Sequence, residues 1–202
     1  GNSYEFIDGD DIQKPDPFKP DPFDGDYWKL SEADAIDRDG YLATITSDLE
    51  NQLASAATLD NGSYRGAWIG IYRDKDNATS GGNNYTWRYA AGSPEAGVAF
   101  FQQNSSGGGG TPIDGRYNNF AEGQPDTSVA EEYAGQFFGN QALWNDLRAT
   151  DSFSQSMFFP YAVMGYVLEK DLAASNVNLN AGSGNVTIGG GVGTSKALGT
   201  LQ

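Results

Sequence analysis

The run Asn119–Asp146, NFAEGQPDTSVAEEYAGQFFGNQALWND, decides how the rest of the chain is read. It gathers Gln124, Asp126, Glu131, Glu132, Asn145 and Asp146 in a chain with no His and no Cys. All six side chains present oxygen, and hard cations such as calcium take roughly six to eight oxygen ligands, mixing carboxylates with amide carbonyls and water. Pro125 stands between Gln124 and Asp126, and X-Pro is the one context in which a cis peptide bond is cheap. A cis bond there would turn both flanking side chains toward one point. Trp144, directly before Asn145 and Asp146, suits a buried anchor that fixes where that pair projects. The residues fit a loop-borne, oxygen-only cation site. By type and spacing alone they also fit a polar loop whose Asn and Asp side chains close turns.

The totals narrow the chemistry. A length of 202 residues suits one medium domain with appendages. Apolar residues make up only 38%, but 13% are aromatic, so the core is expected to be built from Trp, Tyr and Phe. A net charge of −15 disfavours nucleic acid and anionic membranes, which need a basic footprint, and suits cations or a salty exterior. Without Cys and His the chain has no disulfides, no usual zinc site and no Ser-His-Asp or Cys-His nucleophile. No apolar run approaches the ~18 residues of a membrane span, so no membrane insertion is expected. Nor is there a signal-peptide pattern, and a chain starting at Gly1 reads as processed or as a piece of something longer.

Along the chain, Asn2–Ile7 (NSYEFI) has strand character. Residues 8–26 form an acidic segment with Pro15, Pro17, Pro20 and Pro22, a solvated insertion or a separate acidic ligand site. Ser31 and Asp34 suggest a helix start, with Leu30, Ala33 and Ile36 on one face and a stop at Gly40. Tyr41–Thr46 reads as a short strand or extended link. Ser47 and Glu50 form a second capping box, followed by Leu49, Leu53 and Ala56 at helical spacing. Ala67–Ile71 (AWIGI) is a compact buried strand, and Tyr85–Tyr89 (YTWRY) alternates as a half-buried one. Residues 90–143 read mostly as loop, and GYVLEK, ending at Lys170, as a closing strand. After Asp171 the aromatic residues vanish, and NVNLNA and NVTIGG resemble two turns of a short β repeat. Residues 171–202 are therefore expected to begin a neighbouring module, to add a strand to another chain in self-assembly, or to be disordered in isolation.

In this order the pieces resemble the C-type lectin-like domains, in the cysteine-free bacterial form found in large surface and secreted proteins. The resemblance covers residues 2–170 or so, with the Pro-rich segment as an insertion. Its carriers are YEFI (Tyr4–Ile7), GYLATITSDLEN (Gly40–Asn51), WIGI (Trp68–Ile71), YTWRYAAGSPEAG (Tyr85–Gly97), NNFAEGQPD (Asn118–Asp126), EEYAGQF (Glu131–Phe137), WND (Trp144–Asp146) and GYVLEK (Gly165–Lys170). It implies a double-looped α+β fold in which the termini meet in a small sheet, two helices flank it, and a long loop binds ligand. It further implies a calcium ion held by Gln124, Asp126, Glu131, Asn145 and Asp146, with vicinal hydroxyls of a glycan completing the coordination. The Gln-Pro-Asp form goes with galactose-type preference in the family and Glu-Pro-Asn with mannose. Phe120 stands where the family usually has Trp and is carried over as a ligand-binding residue. Ser128 occupies the place where galactose binders often set an aromatic ring; Phe120, Tyr133 or Phe137 would have to stack the sugar instead.

Three classes of function follow. The first is an extracellular, calcium-dependent carbohydrate-binding adhesion module of a larger cell-surface protein. The second is a calcium-independent protein-binding or self-assembling module of the same fold. The third, a carboxylate-pair glycosidase using Glu122, Glu131, Glu132 or Asp146, lacks any substrate-groove pattern and is set aside, so the chain is read as no enzyme. Glu132 and Asp114 could hold a second cation. The aromatic stretch around Phe153, Phe158, Phe159 and Tyr161 suits core packing or an adhesive patch.

Overall fold

A strand whose residues are apolar without alternation must be covered on both faces, and β5 (Gly66–Asp74) is: every residue from Ala67 to Ile71 is buried. It is the hub of a sheet that has nine strands among the described residues. Its first half runs parallel to β11 (Val163–Asp171) and its second half antiparallel to β6 (Thr86–Tyr89). It also pairs antiparallel with β9 (Tyr133–Phe138), which carries β10 (Leu143–Arg148) on its other side. Beyond β6 the sheet continues through β7 (Ala99–Gln103) to β8 (Gly110–Pro112). The computed structural model describes residues 1–12, 26–74, 85–104, 108–126, 133–138, 142–148 and 163–172. Residues 13–25 of the Pro-rich segment, residues 75–84, the aromatic residues Phe153, Phe158, Phe159 and Tyr161, and everything beyond 172 lie outside them.

The two ends of this part of the chain meet. β1 (Asn2–Asp8) pairs antiparallel with β11 from Asn2–Asp171 to Asp8–Gly165, and β2 (Tyr41–Leu42) joins β11 as well. With α1 (Tyr27–Asp37) and α2 (Asp48–Ala57), this is the α+β, double-looped arrangement expected of a C-type lectin-like fold. Alternation along β5 sends Trp68 to one core and Ala67, Ile69 and Ile71 to another. The first core lies under α1 and gathers Trp28, Leu30, Leu42, Tyr166 and Leu168. The second is aromatic: Trp87, Tyr89, Phe100, Phe101, Phe137 and Trp144. Gly70 marks where the Leu42–Ala43 link crosses β5, since a Cβ there would lie 2.3 Å from the Leu42 carbonyl oxygen. No helix among the described residues is long and apolar enough to cross a membrane.

Several local expectations are corrected. The N-cap of helix α1 lies five residues before Ser31: it is Asp26, whose carboxylate accepts from the Lys29 amide at 2.8 Å. Ser31 is a buried interior residue whose hydroxyl donates to the Tyr27 carbonyl. Its inward face is Trp28, Leu30, Ser31 and Ala35, while Ile36 is 47% exposed. Ser47 does cap α2, accepting from the Glu50 amide at 3.3 Å. But the helix is turned the other way from its apolar pattern: Asn51, Ala54 and Ser55 face in, and Leu49 (65% exposed), Leu53 (48%) and Ala56 face out. Small residues let the helix backbone approach the aromatic core closely, and Asn51 supplies hydrogen bonds that a leucine would not. Residues 90–143, read mostly as loop, also contain β7, β8 and β9. Phe100 and Phe101 are both buried in β7 because the β6–β7 ladder shifts register between Trp87 and Arg88, which breaks the alternation a strand pattern relies on.

Glu169 on β11 ties the termini to the link between the helices. It is 1% exposed, and its carboxylate accepts from the Asn2 amide, from the Tyr4 hydroxyl (3.3 Å) and from the Thr44 backbone N–H (2.9 Å). Burial pushes its pKa up to about 7 despite these donors, with the nearby Glu50 charge adding to the rise. A carboxylate whose folded pKa is raised contributes stability that is complete below its unfolded value and lost as pH rises through the folded one. The chelated protein should therefore lose stability between pH 5 and pH 8 more steeply than Glu169→Gln. Parallel melting curves for the two proteins over that range would contradict this.

Candidate functional site

Trp144 brings together the two segments that hold the sequence-predicted ligands. Its backbone N–H donates to the Asn119 carbonyl (2.8 Å), and its carbonyl accepts from the Ala121 N–H (2.9 Å). An isolated parallel bridge between Phe120 and Trp144 results. The chain then turns, with the Gln124 N–H donating to the Ala121 carbonyl (2.9 Å), and the Asp126 N–H donates to Asp146 Oδ1 (3.2 Å). The Gln124–Pro125 bond is cis. The Pro125 carbonyl accepts from the Gly109 N–H (3.1 Å), which ties the turn to the end of the β7–β8 hairpin.

Asn145 and Asp146 are buried, at 3% and 5% exposure, although both are polar and lie at the margin of the sheet. Among the described residues, three side-chain oxygens of the predicted ligand set, Gln124 Oε1, Asn145 Oδ1 and Asp146 Oδ2, are buried without a hydrogen-bond partner. Buried polar atoms are normally paired, so each such orphan calls for an explanation such as an ion. Burial pushes the Asp146 carboxyl up to about 6; the Asp126 N–H pulls it down, the Asp126 charge pushes it up, and buried Arg73 pulls it down. Arg73 lies over the Tyr85 ring at 4.1 Å. The donor set, two amide carbonyls with two neighbouring carboxylates, suits a hard cation and not zinc or a soft metal. Among the described residues no group of three or more carboxylates is gathered as a metal site. Glu131, Glu132 and Ser128 lie outside those residues. Asp114 is exposed in a turn of its own, with φ of 52°.

Phe120 is half-buried and packs into the aromatic core. Its ring centroid lies 5.0 Å from Phe101, 5.2 Å from Trp87 and 5.6 Å from Trp144. Phe137 is 2% exposed, which leaves little of its ring for a ligand. Trp144 is fully buried, in edge contact with Phe100, Tyr117 and Phe120.

A residue that motif reading passed over holds this arrangement in place. Asn51 of α2 accepts from the Trp144 indole N–H (2.8 Å) and donates to the Ala142 carbonyl (3.1 Å). Asn119 donates to the same carbonyl at 2.8 Å. Ala142 sits at φ of 55°, a region costly for a residue with a Cβ, and the two amides hold it there. The available signal was an Asn sharing a helix face with Ala54 and Ser55 between outward leucines.

No protein-family model matches the chain. A stretch is 36% identical over 126 residues to halomucin of Haloquadratum walsbyi, 59% of this chain but 1% of that protein, so the chain spans a very small part of that relative. Among solved structures it is similar to the mouse scavenger receptor C-type lectin carbohydrate-recognition domain: TM-score 0.44, 19% identity, covering 74% of this chain and 84% of that one. It is also similar to the cow C-type carbohydrate-recognition domain of CD23 crystallised with a GlcNAc2Man3 oligosaccharide: TM-score 0.47, 18% identity, 85% of this chain and 89% of that one.

Asn51→Ala removes both hydrogen bonds and strands a buried indole N–H, at a cost of about 1–3 kcal/mol. Urea unfolding should show that loss, with Asn51→Asp, which keeps the acceptor but not the donor, between the two. An unchanged midpoint for Asn51→Ala would show that Asn51 does not hold Trp144.

Proposed function

We propose that this chain is an extracellular, calcium-dependent carbohydrate-binding module, of galactose-type preference, within a larger cell-surface adhesion protein. The observation that carries the reading is the set of buried, unpartnered oxygens on Gln124, Asn145 and Asp146. Asp126 and Glu131 would complete with them the oxygen set that a calcium ion takes, and the ion would turn the desolvation of the buried oxygens into coordination. Calcium would supply a coordination point for two vicinal sugar hydroxyls, while Gln124, Asp126 and Asn145 hydrogen-bond the same hydroxyls and so orient the ring. The amide-then-carboxylate order of Gln124 and Asp126 supports galactose-type orientation. The charge of −15 and the absence of Cys suit a salty exterior. Binding, not catalysis, is the chemistry these groups suit.

One observation favours a calcium-independent protein-binding module instead: Leu49, Leu53 and Leu59 stand at least 48% exposed on and just after α2. The cation decides between the two. Calcium at about 100 times its dissociation constant adds ~2.7 kcal/mol to stability, a rise of roughly 5–10 °C in the melting midpoint for a domain of this size. Asp146→Ala should abolish that rise, and the absence of any rise in the unaltered chain would rule out the calcium reading. Where the rise is seen, exchanging the pair by Gln124→Glu with Asp126→Asn should move preference on a glycan array from galactose-type toward mannose-type sugars. An unmoved preference would contradict the assigned role of the two residues.

A further inference from the structure

The hairpin of β3 (Leu59–Asp60) and β4 (Ser63–Tyr64) forms a two-stranded sheet of its own, apart from the nine-stranded sheet and the ligand-bearing segments. Its pairings, Leu59 with Tyr64 and Asp60 with Ser63, leave a two-residue turn of Asn61 and Gly62 at φ of 48° and 83°. Asn61-Gly62-Ser63 is an Asn-x-Ser tripeptide with no proline, the pattern that accepts an N-linked glycan. All three residues are exposed. The Asn61 amide nitrogen donates to the exposed Asp60 carboxylate at 3.0 Å, and a Cβ built on Gly62 would meet nothing within 4 Å. The amide is thus within reach and the space around it open.

The sequence holds four more such tripeptides, beginning at Asn77, Asn84, Asn104 and Asn185. Asn84 itself lies outside the described residues, and after it Tyr85 is 6% exposed and the Thr86 hydroxyl donates to Gln102 at 3.2 Å. Each of the other three has residues outside the described ones. Asn61 is the acceptor that the structure supports.

We propose that Asn61 carries an N-linked glycan, added during export by a transferase that draws on a polyprenyl-phosphate-linked sugar chain. The Asn61 Nδ2 bonds to the anomeric carbon, the bond from that carbon to the phosphate oxygen breaks, the lipid phosphate leaves with the electron pair, and the amide loses one proton. The glycan stands beside Leu59, which is 48% exposed, and hydrates an apolar flank of the hairpin. The proposal rests on the exterior location given above and not on the cation site.

The test is glycopeptide mass spectrometry of the natural protein recovered from cell-surface, medium and intracellular fractions of its own source. The expected result is a surface or medium fraction in which the peptide spanning Asn61 carries sugar. Ser63→Ala, which keeps the Asn-Gly turn and removes only the hydroxyl, should lose the sugar with its melting midpoint and calcium response unchanged; a Ser63→Ala protein that keeps the sugar overturns the Asn61 assignment. An exported chain in which Asn61 is bare, or merely converted to aspartate, overturns the proposal and leaves the location standing. Recovery from the intracellular fraction alone overturns location and modification together.

Discussion

The indole of Trp144 is the point on which the geometry of the site depends. A buried tryptophan must find an acceptor for its N–H, and Asn51 on α2 is that acceptor. The backbone of Trp144 pairs with Asn119 and Ala121. One residue therefore fixes α2, the segment leading to Gln124 and the strand carrying Asn145 and Asp146 relative to one another. The aromatic core around it, Phe100, Phe120 and Tyr117 in edge contact, leaves the ring a single place to sit. Rigidity of this kind is what a coordination site needs, because ligands held in place lose less entropy when the ion arrives.

The electrostatics of the site pull in two directions. Burial raises the Asp146 carboxyl to about 6, and repulsion from the Asp126 charge adds to the rise. A divalent cation beside Asp146 would relieve both the desolvation and the repulsion. Arg73 offsets part of this repulsion from the β5 side. It is a fixed charge on a side chain that is 4% exposed, so it can steady Asp146 without standing in the path of a ligand.

Much of the scaffold was legible because it obeys simple periodicities. Ala67–Ile71 reads as a strand covered on both faces and is one. Tyr85–Tyr89 alternates and is half-buried, and Ser47 announces a helix that it caps. What was not legible depends on tertiary demands that override local pattern. Leu49 and Leu53 look like a core face, yet the core side of α2 needs Asn51 to meet Trp144 and only small groups beside it. Ser31 looks like a cap, yet Asp26 reaches the helix start first. The strand of Phe100 and Phe101 hides among glycine-rich sequence and loses its alternation at a register shift. At the site, the types and spacing of Gln124, Asp126, Asn145 and Asp146 were visible in sequence, but the burial and lack of partners for oxygens of Gln124, Asn145 and Asp146 were not, since these depend on which segments Trp144 holds side by side.

The most direct test of the central claim is a crystal structure grown with calcium and collected so that the ion's anomalous signal is measured. The account predicts a peak bounded by Gln124 Oε1, Asn145 Oδ1 and Asp146 Oδ2 at about 2.3–2.6 Å, the calcium–oxygen range. Those three oxygens hydrogen-bonded to ordered water alone, at a calcium concentration that saturates any effect in solution, would contradict it.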